Sequence, residues 1–378
     1  MRVKSLSRLV PDRSQHQSGH LYFFKAAIAP GRRVVEIEGH SSTQKRGLTL
    51  NHPTTGILFG ELIFAPARQP WVPGEVFWPY LAGIAILAIG ILTSGKEVLR
   101  TRGIDRILVF GPLFFAPPMA VFASQHFTEA RAVATLVPSW MPGHLFWTYF
   151  VGTALIAAST SIALNKQAQW AAILLAVMLI VFVLLLHVPR IMADPKNAIP
   201  WAIALRDVAF SAGAMAIAGV QTREFGYLGR NQARNRLRTL ARVLLSVSSI
   251  FYGVEHFLHP EFMPAVDFDR SMPTWIPIRM FWSYLAGTAF LIAGMSLLGN
   301  RKTRPAATLL GVVVLILVLF VYLPILVSNP FDIDNGLNFL VSTLAFSGVA
   351  LLVAKAMPGD GRGNQFKDSR ELPRAGTP

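Results

Sequence analysis

Two stretches of this chain, 170–188 and 306–327, are apolar runs without a single Asp, Glu, Lys or Arg. At roughly 20 residues each, they have the length an α-helix needs to cross a hydrocarbon core of about 30 Å. Inside lipid every backbone N–H and C=O must be satisfied internally, so only helices and closed barrels can span. Barrel strands alternate apolar and polar residues; these runs do not alternate, which leaves helices. Seven further apolar segments bring the expected total to nine spans, near 76–94, 106–124, 144–164, 169–188, 201–220, 240–258, 279–299, 305–327 and 337–356. Short connectors between them fit antiparallel neighbours in a bundle. Charged residues make up 15% of the chain, against about 25% in a soluble globular protein.

The formal net charge of +15 raises the question of nucleic acid. A nucleic-acid binder gathers its basic residues on one face or stripe. Here they lie in the connectors and in the two tails, the pattern that orients a membrane protein. Connectors after the first, third, fifth and seventh spans hold fourteen Lys or Arg, from Lys96 through Arg304. The intervening connectors hold five (Arg131, Arg190, Lys196, Arg270 and Arg279) together with most of the loop acids. The first set is therefore expected on the cytoplasmic side, with the C-terminal tail, in a bacterial or archaeal plasma (inner) membrane crossed several times. The N-terminal tail runs against this scheme, because residues 1–50 carry nine Lys or Arg and nine spans would put them outside. A short tenth crossing around 50–68 would restore agreement. Residues 1–53 show no periodicity and read as disordered or foreign to the fold. The chain has no cysteine, which excludes dithiol chemistry, iron–sulfur ligation and thiolate zinc sites within it.

Compared with itself, the chain repeats. Trp140, Pro142, Phe146, Trp147, Tyr149 and Gly152 recur 135 positions later as Trp275, Pro277, Phe281, Trp282, Tyr284 and Gly287. The shift continues through Asn165/Asn300, Pro189/Pro324 and Pro195/Pro330, and upstream His126-Phe127 answers His256-Phe257. A third copy of the motif stands at Trp71, Pro73, Phe77, Trp78, Tyr80 and Gly83. Trp and Tyr favour the membrane interface, Pro is tolerated in a first helical turn, and a deeper Gly permits close helix approach. Each copy thus marks where the chain enters the bilayer from the outer face. The expected organisation is a basic tail at 1–53, a partial unit at 54–105 and a first four-helix unit at 106–221. A basic cytoplasmic linker at 222–237, a second four-helix unit at 238–356 and a disordered tail at 357–378 follow.

The residues 251–260 (Phe-Tyr-Gly-Val-Glu-His-Phe-Leu-His-Pro), with Met272-Pro-Thr-Trp-Ile-Pro277 and Val137-Pro-Ser-Trp-Met-Pro-Gly143, resemble the DoxX-like membrane proteins. The resemblance covers 106–356, part of 54–94 and neither tail. It implies an all-α polytopic bundle of two tandem DoxX-like units plus an N-terminal half unit. It also implies association with a quinone-linked oxidoreductase, and so a quinone and a redox partner subunit. It carries no catalytic set, and no cofactor or metal motif is present in the chain.

Ionisable residues inside a membrane are costly and mark functional sites by default. Arg206 and Asp207 are the clearest. Adjacent helical residues point about 100° apart, so pairing between these two is not expected, and the second unit has Val341 to Thr343 here, without a charge. His126 and His256, beside Gln125 and Glu255, sit near outer helix ends, where a histidine can bind a quinone carbonyl and pass its proton. Trp140 and Trp275 would flank such a head group. Three functions remain open from sequence: a quinone-linked subunit using His126, His256, Glu255, Trp140 and Trp275; a carrier for a small lipophilic or anionic solute using Arg206; and a non-catalytic scaffold whose main partner is the bilayer.

Overall fold

A computed structural model describes residues 72–220, 227–266 and 270–358. The suggested tenth crossing, the N-terminal tail, Trp71 and the C-terminal tail beyond 358 lie outside the described residues. Nine apolar helices occur among the described residues, each long enough to cross a membrane when the short helical segments that continue it are included. They are α1 (Gly74–Arg100), α2 (Gly111–Thr128), α3 (His144–Leu164), α4 (Ala168–Phe182) and α5 (Ala198–Val220). Then come α6 (Tyr227–Leu258), α7 (Arg279–Leu298), α8 (Thr303–Leu317) and α9 (Asn338–Ala356). The protein is an all-α polytopic bundle, and no strand is present among the described residues.

Two helices carry a widened turn where a proline interrupts them. Val183–His187 continues α4 as a π turn into Val188–Ala193, and Val318–Tyr322 continues α8 into Leu323–Ser328. Pro189 and Pro324 cannot donate to the carbonyl four residues back, and one π turn reseats the backbone around the missing bond. Backbone exceptions recur at the same interval. Asn165 and Asn300 have φ of 53° and 52°, and Gln167 and Lys302 have 52° and 46°. α6 is longer than expected: residues 227–237, read from sequence as linker, are its first turns. Its 32 residues span about 48 Å, so it projects well beyond an apolar core.

The motif residues at 140–152 and 275–287 act alike, and the Phe–Trp pair recurs at 77–78. The indole N–H groups of Trp147 and Trp282 donate to Pro142 O and Pro277 O, both at 3.1 Å. Phe77–Trp78, Phe146–Trp147 and Phe281–Trp282 are edge-to-face pairs 5.3–5.4 Å apart. A Cβ on Gly152 would sit 2.8 Å from His126 Cβ, and one on Gly287 3.0 Å from His256 Cβ. These glycines let α3 and α7 pass close to α2 and α6.

The stretches 106–221 and 238–356 do not close into separate bundles. α5 packs on α6, and α9 packs on α2 and α5, while α9 touches α6, the first helix of its own stretch, only slightly. One core cluster draws on all nine helices, and the most buried apolar windows are those of α2, α5 and α9. Burial follows: 78% of the apolar window of α9 is inside the structure, against 22% for α1. Small residues permit the crossings. Gly213 of α5 faces Val349, and a Cβ on Gly348 would lie 2.8 Å from the backbone N of Phe115. At the arginine-rich end, Arg242 donates to Leu297 O and Leu298 O at the end of α7. Arg304 there pairs with Asp105, and Lys355 with Glu97.

Candidate functional site

Three ionisable side chains meet inside the bundle towards the end that carries the Trp-x-Pro motifs. Asp207 of α5 accepts a hydrogen bond from His187 Nε2 at 3.0 Å. Arg206 Nε lies 3.6 Å from the other oxygen of the same carboxylate, and its guanidinium stands 6.0 Å from the centre of the Phe210 ring. All three residues are nine-tenths buried or more. The expectation that Arg206 and Asp207 would not pair is corrected. A 100° offset separates the Cα–Cβ bonds, but the flexible Arg stem spans it where little water competes. His187 was not anticipated as a partner. It is the last residue of the π turn before Pro189, and that widened turn sits on the edge of α4 facing α5. Ser211, one turn below Asp207, donates to Asp207 O at 3.0 Å.

In the second stretch the corresponding positions hold Tyr322, Val341 and Ser342. Tyr322 is fully buried and its hydroxyl donates to Pro264 O. A polar cluster in one half thus faces an uncharged arrangement in the other.

His256 is buried, with Nδ1 2.5 Å from Tyr252 O and Nε2 accepting from Ala265 N at 2.7 Å. A carbonyl on one nitrogen and an N–H on the other define the neutral Nδ1–H tautomer, stacked on Phe290 with ring centres 5.6 Å apart. Glu255 lies 3.9 Å from His259 Nε2, and its Oε2 is buried without a hydrogen bond among the described residues. His126 repeats only half of the His256 pattern: Nδ1 bonds Phe122 O at 2.8 Å. Its Nε2 makes no hydrogen bond among the described residues. Trp140 and Trp275 are exposed at the motif end. No group of three or more residues suited to a metal ion occurs among the described residues.

Just beyond α2, Glu129 adds a titratable group outside the spans. Burial, then Asp334 and Glu75 nearby, push its carboxyl up to about 7. A raised folded pKa means the folded state holds a proton that the unfolded chain, near 4.3–4.5, has released. Stability is therefore expected to fall as pH rises from about 4.5 to about 7, with the penalty fully present above that. Glu129→Gln should raise the unfolding temperature at pH 8 and leave it unchanged at pH 4. Thermal unfolding in detergent at both pH values checks this, and an equal shift at both would refute it.

Comparison with protein-family models, with characterised proteins and with solved structures returned no match.

Proposed function

We propose that the chain is a DoxX-like integral membrane protein built by duplication. In this reading its first half holds an isoprenoid-quinone head group at His187, Asp207 and Arg206, as the membrane subunit of an oxidoreductase. Support for duplication comes from the positions 135 apart that share unusual backbone angles, π turns before proline and Trp-to-Pro hydrogen bonds. The arginine-rich end faces the cytoplasm on this reading, because positive charge is retained there.

One observation carries the site: the buried His187–Asp207 pair, present in only one half. A buried carboxylate is costly unless paired, and the same scaffold manages without one at Ser342. The aspartate takes the Nε2 hydrogen and fixes the ring's orientation, which leaves Nδ1 for a ligand. That nitrogen makes no hydrogen bond among the described residues. In the neutral ring a quinol hydroxyl would donate to it, and in the protonated ring a quinone carbonyl would accept from it. The electrons would pass to or from a partner subunit.

Purification in mild detergent, solvent extraction and mass spectrometry test this directly. About one quinone per chain is expected, falling several-fold in His187→Phe. Recovery of none, with no quinol turnover by any electron partner, would sink the proposal. A carrier for a small lipophilic or anionic solute is the second reading, motivated by buried Arg206. It is the weaker one, because Asp207 already compensates that charge. Liposome uptake unchanged by Arg206→Ala would count against it.

A further inference from the structure

The second half contains a small polar group held in the place where a ligand could sit, and that group is its own backbone. Tyr322 donates its hydroxyl hydrogen to Pro264 O, while Ala265 N–H donates to His256 Nε2 at 2.7 Å. The carbonyl oxygen and the amide nitrogen belong to one peptide group and lie about 2.3 Å apart. Two side chains, from α6 and from the π turn after α8, therefore converge on a single donor–acceptor unit. The loop that delivers it is deeply inserted: Met263, Ala265 and Val266 are 2%, 0% and 2% exposed. Ala265 holds φ at +88°, a conformation that residues with a Cβ rarely adopt.

The corresponding side chains of the first half are His126 and His187. His126 gives its Nδ1 hydrogen to Phe122 O as His256 does to Tyr252 O, which leaves a lone pair on Nε2. His187 is tied to Asp207 through Nε2 and keeps Nδ1. The intervening loop is five residues shorter here, because the offset between the halves is 130 at His126/His256 and 135 at Trp140/Trp275. Among the described residues, nothing in 129–143 hydrogen-bonds either histidine. The shorter loop cannot supply the peptide that the longer one does.

We infer that His126 Nε2 and His187 Nδ1 grip one hydroxyl of the reduced, quinol form of the ligand, in the position that the peptide joining Pro264 to Ala265 takes in the second half. This deepens the quinone reading above and rests on it and on the duplication. The chemistry selects the form. A peptide group satisfies both of its partners because it donates and accepts side by side. A quinol hydroxyl does the same: it donates to the His126 lone pair and accepts from Nδ1–H of His187 in the imidazolium form, whose other N–H goes to Asp207. A quinone carbonyl only accepts and would leave His126 without a partner, which is unfavourable in a water-poor site. The second half is closed to the same ligand by its own loop, so one quinol binds per chain.

The test uses the full chain in phosphatidylcholine nanodiscs, titrated under anaerobic conditions with decylubiquinol and with decylubiquinone. Decylubiquinol should bind about 10-fold more tightly, with one site per chain, and His126→Phe should bring the two affinities within about twofold. Tyr322→Phe, in the closed half, should leave the ratio unchanged. Should His126→Phe fail to fold, His126→Leu with far-ultraviolet circular dichroism as the folding control serves instead. Equal affinities in the unaltered chain would overturn the quinol assignment and leave the quinone reading standing. Binding of neither form would overturn both. A preference that survives loss of His126 would overturn its role, and two sites per chain would overturn the closure of the second half.

Discussion

Asp207→Ala should lower the unfolding free energy by about 3–5 kcal/mol, the usual cost of leaving a buried charge without its partner. The carboxylate is the hub of the cluster: His187 and Arg206 both lean on it, at 3.0 and 3.6 Å. Once it is gone, a buried guanidinium and a buried imidazole face each other with less compensation. The triple change His187→Tyr, Arg206→Val and Asp207→Ser installs what the second half carries at 322, 341 and 342. Replacing a buried ionic cluster with neutral groups is often neutral or stabilising, so the triple variant should recover most of the loss. Denaturation followed by tryptophan fluorescence in detergent micelles gives both numbers. An Asp207→Ala variant as stable as the unaltered chain would show that the cluster has no structural tension. A triple variant as unstable as the single would show that the two halves are not interchangeable there. If it is stable and retains no quinone, stability and ligand binding have been separated at one site.

The second large effect is expected where α9 crosses α2. A methyl group added at Gly348 would lie 2.8 Å from Phe115 N and 2.9 Å from Gly111 O, both backbone atoms that no rotamer change can move. Gly348→Ala must push two central helices apart, and overpacking of this kind costs about 1–3 kcal/mol or more. Gly95→Ala in α1 is the control, because nothing lies within 4 Å of the added carbon. There alanine should gain about 0.5–1 kcal/mol from helix propensity alone. Opposite signs for the two substitutions, read from the same denaturation curves, are the expected outcome. A neutral Gly348→Ala would mean that the crossing yields easily and that the shared core is looser than its geometry.

The candidate site was legible only in part. Arg206 and Asp207 stand out in any reading, because charge within an apolar span is expensive. His187 does not. Its partner lies twenty residues away on another helix, and nothing local distinguishes it from a histidine at a helix end. One signal was available: at 187, 206 and 207 the first half departs from the second together, as His/Tyr, Arg/Val and Asp/Ser. Joint departure from an otherwise parallel scaffold points to residues that act as a set. His256 shows the converse. Beside Glu255 it reads as a ligand-binding pair, yet both of its ring nitrogens are engaged by backbone. An inserted loop with a positive φ at Ala265 leaves no such mark in the sequence.

The apolar runs by themselves determined that this is a nine-span helical protein across its described residues. The Trp-x-Pro-x₃-Phe-Trp-x-Tyr-x₂-Gly motif determined where three of those helices begin. Both are local properties: the transfer of some twenty consecutive side chains into lipid, and the capping chemistry of one turn. Which helix lies against which was decided only in three dimensions. Lipid tails are as apolar as the helices, so hydrophobicity cannot choose partners; close packing of small residues does. Gly213 and Gly348 make their contacts with residues far away in the chain. For that reason α5 lies on α6 and α9 on α2, and two stretches that read as tandem four-helix units share one core.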